Sequence, residues 1–346
     1  MSRPAVVFPL LLIALVACLL FGVGLGAVFL PPGRLLAIVA QQLGWWRGPV
    51  TWPANEAVIL FQVRLPRVVA GALVGAALAT AGTLLQGLLR NPLADPYLIG
   101  VSSGAGLGAT VAALLSPVAA GVAGFGLTSI LAFAGGLVTV TAVYRLARVG
   151  GTVPVTTLLL AGFAVSSLLV AAMTLMLTIS GQLALRIREL FAWLMGGISV
   201  VGWTQLAVVA PVLLIGLCLA WTFARSLNAF ALGEEGAAYV GVDVERQKLL
   251  IVALGTLLTG IAVTLSGLVG FVGLVVPHAM RMLLGPNHRI LLPAAALGGA
   301  CFLVLADLGA RTVLAPVELP VGVVTAILGV PFFLYLLQRS KRPHVL

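Results

Sequence analysis

Two arginines set around a proline, Arg64-Leu-Pro-Arg67, are the residues in this chain best suited to hold a carboxylate. A guanidinium is charged at any physiological pH and presents paired N–H donors that match a carboxylate bidentately. Lipid headgroup contact, snorkelling, membrane topology and docking of an acidic partner would all use such a pair, and the chemistry alone leaves the four open. Asp307 and Arg311 lie four residues apart, which brings them to one face of a helix. That spacing predicts an acid neutralised by its neighbour rather than a proton relay. Asp307 is the one acid well inside an apolar run, whereas secondary transporters and proton-driven pumps use acids within the bilayer. The energy for any transport is therefore expected from a partner subunit that hydrolyses ATP.

Other reactive residue types do not form known constellations. The only lysines, Lys248 and Lys341, follow Gln and Ser, so the chain has no Walker A loop to cradle a nucleotide. His278, His288 and His344 lack zinc-ligand spacing, and there is no G-x-S-x-G elbow. Cys18, Cys218 and Cys301 lie far apart in apolar runs and read as small buried hydrophobes. The expectation is a protein that is not an enzyme and binds no cofactor or metal of its own.

The elements that must position these residues follow from composition. Of 346 residues, 61% are hydrophobic and 8% are charged, against about 25% charged in an ordinary soluble domain. So little polar surface cannot cover a globule, which excludes a water-soluble enzyme, a secreted disulfide scaffold and a disordered chain. The net charge of +10 sits between apolar runs, where it sets topology and does not signal nucleic acid. A hydrocarbon layer about 30 Å thick needs roughly 20 apolar residues in helix. Ten spans meet that requirement, at about 6–30, 66–89, 97–115, 119–145, 155–180, 203–225, 249–268, 271–285, 290–310 and 320–338. The first is too long for a signal peptide and reads as a retained helix. The eighth is short and follows the seventh almost directly.

With the N-terminus inside, twelve Lys and Arg fall on the inner side and seven on the outer, so the positive-inside rule puts both termini in the cytoplasm. Residues 185–195 form an amphipathic stretch expected at the outer interface. Asn228 to Lys248 is the longest polar cytoplasmic segment and holds four of the nine acids. A short echo between spans two and seven, which run in opposite directions, hints at an inverted repeat. The whole of 1–346 reads as one all-α transmembrane domain.

Longer motifs add a resemblance. Arg64-Leu-Pro-Arg67, Arg90-Asn-Pro-Leu-Ala-Asp-Pro96, Leu98-Ile-Gly-Val-Ser-Ser-Gly-Ala-Gly106, Gly267-Leu-Val-Gly-Phe-Val-Gly-Leu-Val-Val-Pro-His278 and Glu318-Leu-Pro-Val-Gly322 occur in order along the chain. In these, and in Leu158-Leu-Leu-Ala-Gly162 and Leu305-Ala-Asp307, it resembles the iron-siderophore, haem and cobalamin permeases of type II ABC importers. The resemblance implies a ten-helix permease in a bacterial inner membrane, surrounded by lipid. It implies a homodimer that takes a metal chelate inward, two cytoplasmic ATPases that hold the ATP and Mg, and a periplasmic or surface-tethered binding protein that delivers cargo. Carried over by position, Arg64, Arg67 and Arg311 would dock the binding protein, and Asn91, Leu93 and Thr156 would form the cytoplasmic gate. Leu232, Gly233, Glu234, Ala237, Tyr239, Val240 and Gly241 would engage the ATPase. Gly196-Gly197 stands where many haem and siderophore members have Gly-Ser, which looks more like the cobalamin branch. The alternative is an ion-coupled secondary transporter or channel, which would have no use for the coupling segment.

Overall fold

In a computed structural model, residues 3–26, 31–45, 48–50, 52–115, 125–199 and 202–340 are described. Helix α1 (Arg3–Gly24) is followed by two helices outside the expected spans, α2 (Pro32–Gln42) and α3 (Ala54–Val58). From α3 the chain runs through a π turn (Ile59–Arg64) directly into α4 (Leu65–Leu88). A 3-10 turn (Pro96–Ile99) precedes α5 (Val101–Leu115), and α6 (Leu127–Leu146) and α7 (Val155–Ile179) follow. Next come α8 (Gly181–Leu194), α9 (Trp203–Thr222), and the short α10 (Ala224–Phe230) and α11 (Glu234–Tyr239). The chain closes with α12 (Val244–Ser266), α13 (Val272–Leu284), α14 (His288–Thr312) and α15 (Val321–Ser340).

Each of the ten expected spans contains a helix among the described residues, α1, α4 to α7, α9 and α12 to α15; 119–124 of the fourth lie outside the described residues. Seven are long and apolar enough to cross a membrane, and α5, α13 and Val321–Tyr335 of α15 are shorter apolar helices. The first span ends at Gly24 rather than near 30, and 27–30 lie outside the described residues. The abrupt join between spans seven and eight is a broken backbone: Gly267 and Phe271 take φ of +59° and +68° between α12 and α13. The amphipathic stretch forms α8.

The second span begins earlier than expected, because helical structure is continuous over Asn55–Leu88, 34 residues. Pro66 lacks an N–H, and its ring would crowd the carbonyl four residues back. The widened π turn just before it relieves that crowding. Arg64 and Arg67 are therefore inside a helix and not at its start. Arg64 stands 24 residues before Leu88, about 36 Å along the axis, which is beyond a hydrocarbon layer of about 30 Å.

Helix α4 is the hub of the bundle and is buried on nearly every face from Val68 to Leu88. Small residues allow this. A Cβ on Gly75 would strike the carbonyl of Gly299 on α14, one on Gly299 would strike that of Gly75, and one on Gly82 would strike that of Gly273. Helices in lipid gain little from hydrophobic exclusion, so such backbone-to-backbone packing holds them together. By contrast α1 and α7 turn Leu10, Ile13, Phe21, Leu160, Phe163 and Leu168 outward, as helices that border acyl chains must.

Candidate functional site

The three arginines expected on the outer surface do converge, but two face inward. Arg64 donates from Nη1 to the carbonyls of Val23 (3.0 Å) and Gly24 (3.1 Å), and Arg311 donates from Nη2 to that of Gly22 (3.0 Å). These carbonyls end α1, where a helix has no partners of its own and carries the negative end of its dipole. Both arginines are 6% exposed. Arg311 Nε also donates to Asp307 Oδ2 at 2.9 Å, the four-residue pair anticipated from spacing. Arg67 donates from Nε and Nη2 to Asp307 Oδ1 (3.1 and 3.0 Å) and from Nη1 to Glu318 Oε2 (2.9 Å). These three arginines thus stitch α1, α4 and α14 together. Arg67, with its side chain 19% exposed, and Glu318, at 55%, form the part of the cluster that reaches the surface. Asp307, held by two guanidiniums and 1% exposed, is fully engaged.

At the other end of α4, Arg90 turns the chain with φ +49°. Asn91 Oδ1 accepts the Leu93 N–H at 2.9 Å, so the two expected gate residues share one tight turn. Asn91 is exposed and Leu93 half-buried. Thr156, on the first turn of α7, is exposed and shares no hydrogen bond with either among the described residues. Spacing did not single out Gln86, yet it fixes the turn from behind. Its buried Nε2 donates to the carbonyls of Ala94 (3.3 Å), Gly273 (3.2 Å) and Leu274 (3.2 Å). A lone amide inside an otherwise apolar helix was the available signal, since such a group must find partners. Asp95 Oδ1 caps the 3-10 turn by accepting the Tyr97 N–H at 2.8 Å. Burial pushes its carboxyl up to about 6.

The segment expected to meet an ATPase divides into a knob and its mount. Leu232, Tyr239 and Val240 are 67%, 90% and 61% exposed. Gly233 and Gly241, with φ of +95° and +86°, bracket the short α11. Ala237 is fully buried and faces the body. Glu234 is part of the mount: its Oε2 accepts from Lys248 Nζ at 2.6 Å. Lys248 is 3% exposed, and Nζ donates also to Glu245 Oε1 (2.9 Å) and the Val153 carbonyl (3.1 Å). Glu245 Oε2 accepts the Val153 N–H at 3.0 Å. A buried ammonium requires this degree of compensation. The result is a rigid link from α11, through α12, to the turn that launches α7 and carries Thr156.

Comparison with known proteins places this geometry. The model of the FecCD transport family matches residues 12–339. The cobalamin import system permease protein of Halobacterium salinarum is 45% identical over 290 residues, covering 84% of this chain and 76% of that protein. The hemin transport system permease protein of Yersinia pestis is 43% identical over 297 residues, covering 83% and 86%. A solved structure described as an inward-facing conformation of a metal-chelate type ABC transporter superposes with a TM-score of 0.79 at 30% identity. That match covers 98% of this chain and 100% of the other.

Proposed function

Because the chain belongs to the FecCD transport family, we propose that it is the membrane subunit of an importer for a metal chelate, with cobalamin, haem and ferric siderophores as candidate cargoes. It acts as a homodimer around a central pore, with both termini in the cytoplasm. ATP and Mg are bound by separate ATPase subunits. The cargo class rests on the relatives named for cobalamin and hemin. The observation that carries the proposal is the exposed apolar knob of Leu232, Tyr239 and Val240, mounted on a rigid link rather than a loose loop. Water is a poor environment for such a surface, and a groove on a cytoplasmic ATPase would bury it.

In this reading, movement of the ATPases displaces the knob. The Lys248 link carries that displacement to Val153 and the start of α7, and the Asn91–Leu93 turn with Thr156 opens or closes the inner mouth of the pore. On the outer side Arg67 receives a carboxylate from the binding protein in exchange for Glu318. Arg64 and Arg311 hold the platform beneath it. An ion-coupled mechanism would need an acid free to exchange a proton or cation, whereas Asp307 is gripped by Arg67 and Arg311.

The test is co-purification with the cognate ATPase. The wild-type chain should retain it. Tyr239→Asp with Val240→Asp should lose it, because an unpaired charge buried in a packed contact costs several kcal/mol. Full retention of the ATPase by that double variant would remove the knob from the proposal.

A further inference from the structure

On the lateral surface of the bundle, α1, α4, α9 and α14 enclose an apolar groove of about 660 Å³. Phe8, Leu217, Trp221, Leu292 and Leu297 contribute apolar wall, and Arg289 lies at the end where α14 begins. From Arg289 to Leu297 is eight residues, about 12 Å of helix. That nearly matches one leaflet of a hydrocarbon layer about 30 Å thick. The groove therefore has the length of an acyl chain in a single leaflet, starting from the arginine-rich side that topology assigns to the cytoplasm.

The charged end is built for a headgroup. Arg289 is exposed and makes no ion pair among the described residues. Pro293, four residues on, has no N–H to give the Arg289 carbonyl. The Trp221 indole N–H supplies the missing bond at 3.0 Å. That bond fixes an aromatic ring at the height of the cation, the pairing found where membrane meets water. Arg225, four residues beyond Trp221, is also exposed and without an ion pair among the described residues. Basic residues at the cytoplasmic edge of a cleft between helices attract anionic lipid.

We propose that this groove is a binding site for one anionic phospholipid of the cytoplasmic leaflet. An acyl chain lies between Leu217 and Leu297, and the phosphate is held by Arg289. The site does not depend on the cargo or on the ATPase.

Native mass spectrometry of the full chain, released from nanodiscs containing equal phosphatidylglycerol and phosphatidylcholine, tests this. Wild type should retain phosphatidylglycerol over phosphatidylcholine. Arg289→Gln should lower phosphatidylglycerol retention about tenfold while leaving the Trp221 bond, which goes to main chain, in place. Ala296→Trp, which fills the groove, should expel lipid with Arg289 still present; should that variant not fold, the Arg289→Gln arm decides alone. Equal retention of the two lipids by wild type, or phosphatidylglycerol retention untouched by Arg289→Gln, overturns the proposal. So does a change of oligomeric state in Ala296→Trp, which would assign the face to a second copy of the chain.

Discussion

Replacing Lys248 by Met separates the knob that meets the ATPase from the helix it is proposed to move. Nζ makes three hydrogen bonds, to Glu234 (2.6 Å), Glu245 (2.9 Å) and the Val153 carbonyl (3.1 Å). A buried hydrogen bond to a charged group contributes about 1.5–3 kcal/mol. The carboxylate side chains are 38% and 34% exposed, so water recovers much of that, and about 1 kcal/mol each is the better figure. The link then loses about 3 kcal/mol, which weakens the hold of α11 on the α7 turn roughly a hundredfold. Methionine fills the volume, and the two carboxylates it leaves unpaired, 38% and 34% exposed, keep contact with water, so global stability should fall by no more than about 3 kcal/mol. The exposed faces of Leu232, Tyr239 and Val240 remain, and ATPase assembly should survive. In proteoliposomes with ATPase and binding protein, Lys248→Met should hydrolyse ATP at a rate near wild type and import less than a tenth as much cargo per ATP. Lys248→Arg should recover part of the coupling. An unchanged ratio of cargo to ATP in Lys248→Met would refute the link.

Glu318 shares Arg67 with Asp307 and is the exposed member. Glu318→Gln should therefore speed association with the binding protein severalfold at low salt and steepen its fall as salt rises, whereas Arg67→Gln should slow it; stopped-flow binding that leaves Glu318→Gln at the wild-type rate removes the competition. Asp95 has its carboxyl raised from 3.8 to about 6, so the fold favours the protonated form. That contribution is complete below about pH 4 and is lost as pH rises through about 6. Asp95→Asn keeps the cap on Tyr97 and removes the titration. In detergent unfolding it should match wild type near pH 4 and exceed it by up to about 3 kcal/mol above pH 7, and parallel pH profiles would contradict the assignment.

The longer membrane helices were legible because a span needs some 20 apolar residues, a property of local composition that survives any packing. The Asp307–Arg311 pair was legible for the same reason, since four-residue spacing is local. The purpose of Arg64 was not. Its acceptors are the last carbonyls of α1, some 40 residues away, and main-chain acceptors leave no mark on residue type. The sequence put Arg64 and Arg67 at a helix start, because the apolar run of the second span begins at 66; a π turn instead carries the helix through. Lys248 closes the segment read as the longest polar cytoplasmic one, yet it is buried against two acids, at three and 14 residues' separation, that composition counts merely as polar. The knob residues came from the resemblance, and large apolar side chains in a polar segment, a contrast visible in one dimension, agree with it. Gln86 made the opposite contrast, a polar side chain in an apolar helix, and its three carbonyl partners lie on a turn and a helix that only the fold brings together.

The central claim is that this chain moves a metal chelate inward at the expense of ATP hydrolysed by a partner. The direct measurement is cargo accumulation in proteoliposomes holding the chain and its ATPase, with binding protein outside and ATP inside. Cobalamin, haem and ferric siderophores are offered in turn. One of these should accumulate, in a manner that requires ATP and binding protein and is indifferent to proton and sodium gradients. Accumulation that follows an imposed ion gradient and proceeds without ATP would contradict the claim.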